Sequence, residues 1–386
     1  MITSYGGKNC WAFKEWMVVN LKINKNVPSE FGFDDVRVVP AICFEGANAS
    51  GKSCSLKVLS FIYDFCLNSF NYQSDAAILY DAHFNNKDAA EFFLSFYIGD
   101  DFSKEYTYEC KLSQTKVIFE KLFYEENKKK HYVIRRTKNS ITECAFKTNI
   151  DNIILRDNVS VISTFVQYGV PEIQPVKEFL SNIRSNVAYW GTLETQLTDY
   201  VAEFYYNNPS MHRRVVEELK KFDTGIEDVE IVPGMDANGK NTFFSLFHHK
   251  TDETRNNLSY FSQSTGTKLL YNRLMEFYIT IENGGVLVFD EIEMHLHARI
   301  VPLLLDYFLN QEINKKHAQI IFTAHNAEIL DIMKKYRTYL FNKENGESYC
   351  YRIDELPDNI LIRNDRSLEA VYKTGDIGGV PNVKTY

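Results

Sequence analysis

Four short stretches carry side chains whose types and spacing suit phosphate chemistry. The first, FEGANASGKSC at residues 44–54, has the spacing G-x-x-x-x-G-K-[ST], with Gly46, Gly51, Lys52 and Ser53 at the fixed positions. In such a loop the backbone N–H groups of Ala47, Asn48, Ala49, Ser50 and Gly51, continuing to Ser53, can converge on phosphate oxygens at a helix N-terminus. The lysine there neutralises charge and the serine hydroxyl suits Mg2+. Cys54 closes the stretch. The second, VLVFDEIE at 286–293, delivers Asp290 and Glu291 at the end of four apolar residues. Asp290 suits a water-mediated contact to Mg2+, and Glu291 a general base or water-orienting group. The third, IIFTAHN at 320–326, ends a further apolar run at His325, where an imidazole could reach a γ-phosphate or the attacking water. The fourth, FSQSTGTKLL at 261–270, puts Ser264, Thr265, Gly266 and Thr267 at a helix start. Alone it is an ordinary N-cap; its place about twenty residues ahead of the Asp-Glu pair makes it an anion site with its own hydroxyls. His295 and His297 form a further pair, but two imidazoles without a third ligand make a poor metal site.

These groups work together only if the intervening elements bring them to one edge. VRVVPAICFEG before the loop is a buried strand and SLKVLSFIYDFCL after it has helical spacing, the strand–loop–helix context the loop needs. EFFLSFYIG, YTYECKLS, KVIFEKLFYEE and HYVIRRT make residues 74–150 β-rich, with EENKKKH (125–131) as a hairpin turn. VKEFLSNIRSNVAYW, LETQLTDYVAEFYY and MHRRVVEELKKF have helical spacing. EDVEIV and TFFSLFHH read as strands around a DANGK turn. TGTKLLYNRLMEFYITIE is a helix, GGVLVFDE a buried strand, RIVPLLLDYFLNQ a helix and AQIIFTAHN another buried strand. Strands alternating with helices in both terminal thirds predict a mainly parallel sheet covered by helices, with ligands at the carboxyl ends of its strands.

Composition sets outer bounds. Hydrophobic content of 45% and charged content of 24% are ordinary for a globular chain, and 386 residues allow a large core. A net charge of −8 argues against a surface coated for non-specific DNA binding, while leaving room for a local basic patch. The seven cysteines are scattered with no C-x-x-C pair, so neither a disulfide framework nor a zinc cluster is expected and a reducing, cytoplasmic location fits. No apolar run approaches the length of about 18 residues that a membrane span needs.

Taken in order, GANASGKS, S-T-G-T, DEIEMHLH and the histidine after TA resemble an ABC-type ATPase head of the branch that holds RecF, SMC proteins and the OLD nucleases. The resemblance puts Ser264, Thr265, Gly266 and Thr267 on the signature motif, Asp290 and Glu291 on the Walker B pair, His325 on the switch histidine and residues 293–297 on the D-loop. NCWAFKEW, VIFEKLFY and the ending YKTGDIGGVPN extend it to the stand-alone ABC ATPases of prokaryotic anti-phage operons, such as the ATPase subunit of the PARIS system. Three positions depart from the pattern: the signature is not L-S-G-G-Q, Cys54 stands where Asn often follows the loop, and Ala298 replaces a frequent Pro. Gln167 in FVQYG is the candidate for the glutamine that joins the lobes.

The resemblance implies an α/β head with an antiparallel β-rich subdomain and a helical insertion. Lobe I would span 1–165, the insertion 166–225 and lobe II 226–386. It implies ATP and Mg2+ as cofactors and a homo-oligomer in which ATP is held between two subunits. It also implies an operon-encoded effector partner, a Toprim-type nuclease, and a phage-encoded trigger. Only 61 residues follow His325, so the nuclease is expected on a separate polypeptide. A RecF-like repair ATPase, a transporter subunit and a small-molecule kinase remain the alternatives.

Overall fold

The computed structural model describes residues 1–99, 101–192, 198–222, 225–235, 239, 241–250, 256–357 and 366–380. The chain opens with β1 (Ile2–Lys8), β2 (Met17–Asn20), β3 (Ala41–Gly46) and α1 (Lys52–Asn68). Five strands follow: β4 (Ala90–Ile98), β5 (Asp101–Leu112), β6 (Val117–Glu126), β7 (Lys129–Thr137) and β8 (Ser140–Cys144). The middle holds α2 (Val161–Gln167), α3 (Gln174–Ser181), β9 (Ile183–Ser185), β10 (Val187–Ala188), β11 (Gly191–Thr192), α4 (Thr198–Asn207) and α5 (Pro209–Lys221). Next come β12 (Ile226–Met235), β13 (Asn241–His249) and β14 (Asn256–Ser259). The last third runs α6 (Thr265–Asn283), β15 (Val286–Phe289), α7 (Ile300–Leu309), β16 (Gln319–Thr323), α8 (Ile329–Met333), β17 (Thr338–Glu344), β18 (Glu347–Arg352) and α9 (Leu368–Thr374).

The central sheet has the order β18-β17-β3-β16-β15-β9 and is parallel except for its terminal hairpin. Its inner strands β3, β16 and β15 are mostly apolar because both faces are covered. Ile42, Phe44, Val286, Val288 and Ile321 point into one core with α1, while Cys43, Leu287, Phe289, Ile320 and Phe322 point into the other with α6 and α7. That two-residue alternation into two cores is what a parallel sheet between helical layers requires.

The β-rich region forms a seven-stranded antiparallel sheet, β2-β1-β4-β5-β6-β7-β8. Along β4, Phe92, Leu94 and Phe96 enter the core. The turn expected within 125–131 is a two-residue one, with Asn127 and Lys128 at φ 53° and 61°, the left-handed pair that matches hairpin twist. One buried ion pair ties this sheet to the following helix. Arg136 Nη1 lies 3.4 Å from Glu120 Oε2, both side chains fully enclosed. Glu120 also accepts from Tyr108 Oη (2.8 Å), the Ser160 hydroxyl and Val161 N (2.8 Å). Arg136 donates to the carbonyls of Lys138, Arg156 and Val159.

One expectation is revised. VKEFLSNIRSNVAYW is helical only to Ser181; Ile183, Arg184 and Ser185 then pair in parallel with Val286, Leu287 and Val288 as the edge of the central sheet. The open edge of β15 offers backbone partners that outweigh a weak helical periodicity. The described part of the glycine-rich tail reaches Val380. It folds back on β17–β18, where Tyr351 Oη donates to Ile377 O (2.6 Å), Gly379 N donates to Asn342 Oδ1 (2.8 Å), and Ile377 is buried. Residues 381–386, including Pro381, and most of the DANGK turn lie outside the described residues. Among the described residues no helix is long and apolar enough to cross a membrane.

Candidate nucleotide site

Strand β3 ends in the loop and α1 begins at Lys52, so residues 46–53 crown the carboxyl edge of the sheet. Gly46 sits at φ 153°, and a Cβ there would lie 2.4 Å from Phe341 O, which admits only glycine. Ala49 (φ 61°) and Gly51 (φ 107°) complete the turn that aims the backbone inward. Lys52 is buried, with Nζ donating to Gly46 O (2.6 Å) and Ala47 O (3.2 Å). Burial lowers its pKa, while Glu45, Asp290, Glu291 and Glu293 oppose that shift. The Ser50 hydroxyl is buried in the turn with no hydrogen-bond partner.

Asp290 follows β15 directly and meets the loop. Its Oδ1 accepts from Ser53 Oγ (3.0 Å) and from Thr323 Oγ1 (2.6 Å). Thr323 Oγ1 in turn accepts from Glu291 N at 2.7 Å. Glu291 has φ 53°, an uncommon conformation for a glutamate and one that clusters at functional sites. Its half-exposed carboxylate stands 3.6 Å from His325 Nε2. His325 follows β16, which pairs with β15, so the imidazole reaches Glu291 across adjacent strand ends. The backbone N–H of His325 donates to Glu293 Oε1.

Beneath the loop, Glu45 is buried, its Oε1 without a partner, and burial followed by repulsion from Glu293 pushes its carboxyl up to about 8. On the other core side Arg273 Nη1 donates to Ile292 O (2.8 Å) and its guanidinium lies over the Phe289 ring, which anchors the turn after Glu291.

The loop, Asp290, Glu291 and His325 are therefore gathered in one place. Ser264, Thr265, Gly266 and Thr267 are not among them. They open α6, where Ser264 Oγ accepts from Thr267 N (3.1 Å) as its N-cap. Gly266 packs on the turn that follows Glu291, its Cβ position 2.8 Å from His295 O. Among the described residues no hydrogen bond joins residues 264–267 to residues 46–53. Cys54 lies on α1, its thiol pushed up by burial. Gln167 is the exposed last residue of α2; the amide that meets Asp290 belongs to Asn186. Asn186 Oδ1 accepts from Asp290 N (2.7 Å) and its Nδ2 donates to Asp290 O (3.1 Å). Asn186 and Thr323 were missed in the sequence. Thr323 stood two residues before His325, a polar residue ending an apolar run, whereas Asn186 follows a strand that read as helix.

A hydroxyl and a carboxylate oxygen held 3.0 Å apart beside a phosphate-type loop form the oxygen donor set that Mg2+ takes. The arrangement stands at the carboxyl edge of the central sheet of a fold of the ABC-type head class. The chain belongs to the family described as "AAA domain, putative AbiEii toxin, Type IV TA system", whose model matches residues 43–331. No curated protein matches. An Smc head bound to the C-winged helix domain of ScpA is similar at TM-score 0.51 and 13% identity, over 96% of this chain and 99% of that one. That likeness shows the fold. A Pyrococcus yayanosii Smc head with coiled coil and joint gives TM-score 0.48 and 10% identity, over 97% and 99%. The SMC head domain of Thermotoga maritima gives 0.45 and 15%, over 91% and 98%.

Proposed function

We propose that the chain binds and hydrolyses Mg-ATP at this site, slowly and for regulation. The observation that carries the reading is the Asp290 carboxylate bridging Ser53 and Thr323, with Glu291 and His325 paired alongside. Phosphate oxygens would take over Lys52 Nζ from the carbonyls of Gly46 and Ala47, and the loop N–H groups from residue 47 to residue 53 would hold the β- and γ-phosphates. Ser53 would ligate Mg2+ and Asp290 would hold it through water; when bound, the ion offsets charge on the phosphate oxygens. Glu291 orients and deprotonates the attacking water, and His325 steadies Glu291 and faces the γ-phosphate.

In the same reading the exposed Ser264–Thr267 helix start closes over the nucleotide of a second copy, which makes the active form an oligomer. The family description supports a toxin-linked role, and the output we assign is control of a separate effector, a nuclease, in anti-phage defence.

Glu291→Gln tests the core of the proposal. It keeps shape but removes the base, so ATP affinity should persist while steady-state turnover falls at least about 100-fold. Wild-type turnover in this variant would refute the assignment. Lys52→Ala should instead lose ATP binding, measured by titration calorimetry.

A further inference from the structure

Phe84 is the most exposed large hydrophobic residue described, with 76% of its surface open. A single exposed phenylalanine needs no explanation. Its backbone does, because Phe84 (φ 47°, ψ 35°) and Asn85 (φ 53°) are successive non-glycine residues in the left-handed region. Such a conformation persists only where the surroundings impose it. Here they do: Trp11 N donates to Asp81 O (2.7 Å), His83 Nδ1 lies 3.1 Å from Trp11 O, and the Asn9 and Asn86 side chains exchange bonds of 2.9 and 2.5 Å.

The segment that holds this loop also walls the phosphate loop. Phe13 Cζ stands 3.2 Å and Ser348 Oγ 3.1 Å from the Cβ position of Gly51. Ser348 N donates to Ala12 O (3.1 Å), and Lys14 Nζ bridges to Glu347 (2.7 Å). Two residues back, in the turn that joins β17 to β18, the Cβ position of Gly346 is 3.6 Å from the Phe84 ring. Phe84 therefore lies against the turn of the hairpin whose second strand packs on Gly51 through Ser348, with its ring largely open to solvent.

We propose that Phe84 is a stacking platform for the base of a purine nucleotide whose phosphates lie on residues 46–53. The proposal rests on the nucleotide reading above. A phenyl face binds the π-face that every base has and reads no base edge, so ATP and GTP should depend on Phe84 alike.

Titration calorimetry of the full chain with Mg-ATP, Mg-GTP and inorganic tripolyphosphate tests this in wild type, Phe84→Ala and Phe84→Trp. Phe84→Ala should weaken both nucleotides at least about five-fold, Phe84→Trp should restore them, and tripolyphosphate should bind all three proteins equally. Unchanged ATP affinity in Phe84→Ala overturns the platform and leaves the nucleotide site standing. A parallel loss of tripolyphosphate also overturns it, since the substitution would then be acting on the phosphate loop. Wild-type protein that binds tripolyphosphate but not ATP overturns the platform alone. Wild-type protein that binds neither overturns the nucleotide reading with it.

Discussion

At the scale of residues, Asp290 is held from three sides: by the hydroxyls of Ser53 and Thr323 on its carboxylate and by the Asn186 amide on its backbone. Such clamping fixes a carboxylate in the orientation that catalysis needs before any ligand arrives. Glu45, one residue before the loop, is the opposite case, a buried acid without a full set of partners. Its carboxyl stays protonated in the folded chain up to about pH 8, whereas in the unfolded chain it ionises near the ordinary 4.5. The folded state thus holds the extra proton across that window, and stability falls as pH rises through it. At 1.36 kcal/mol per pH unit the loss has an upper bound of about 5 kcal/mol. Glu45→Gln, permanently neutral, should flatten the slope: its melting temperature should exceed wild type at pH 8.5 and match it near pH 5. Parallel melting curves across that range would show that Glu45 is not protonated in the fold.

Among elements, the antiparallel sheet is joined to the helix that packs on α1 through Arg136 and Glu120 rather than through apolar contact alone. Arg136→Met would leave three carbonyls without a donor and Glu120 without its counter-charge. Breaking one side of a buried pair costs about 3–5 kcal/mol, which should appear as a lower urea midpoint. Glu120→Gln keeps the shape and most of the hydrogen bonds, so it should cost less. The reverse ranking would mean that the charge of Glu120 matters more than the carbonyls Arg136 serves.

For the whole molecule, the helix start at residues 264–267 and the phosphate loop are separate surfaces of one subunit, and the proposed activity needs two subunits to unite them. Ser264 is exposed at the start of α6, so Ser264→Arg should leave ATP binding intact while abolishing turnover. Gly266 is a poorer probe, because any side chain there would strike His295 O within the same subunit. Mixing Ser264→Arg with Lys52→Ala protein should restore part of the activity by pairing one sound loop with one sound signature. No recovery in mixed oligomers verified by native mass spectrometry would argue against a shared site.

The loop at 46–53, the Asp290–Glu291 strand end, His325 and the helix start at Ser264 were all legible in the sequence. Each is written in a few neighbouring residues: a glycine where φ must be positive, an apolar run where both faces are buried, a hydroxyl where a helix needs a cap. Strands β4 to β7 of the antiparallel sheet were legible for the same reason, as alternation with turn residues between, whereas β1, β2 and β8 were not read. Tertiary structure alone decided which of these groups meet. Ser53 lies 237 residues from Asp290, and Asn186 lies 104 from it. Their contact depends on β3, β16, β15 and β9 lying side by side in register, and no local pattern specifies that order. Asn186 was hidden because its strand forms only by pairing with the edge of β15. Phe84 was hidden because its exposure and left-handed backbone come from anchors at Asn9 and Trp11, more than seventy residues earlier in the chain. A side chain's type and neighbours reveal what chemistry it can do, whereas its partners follow from long-range packing of strands and loops.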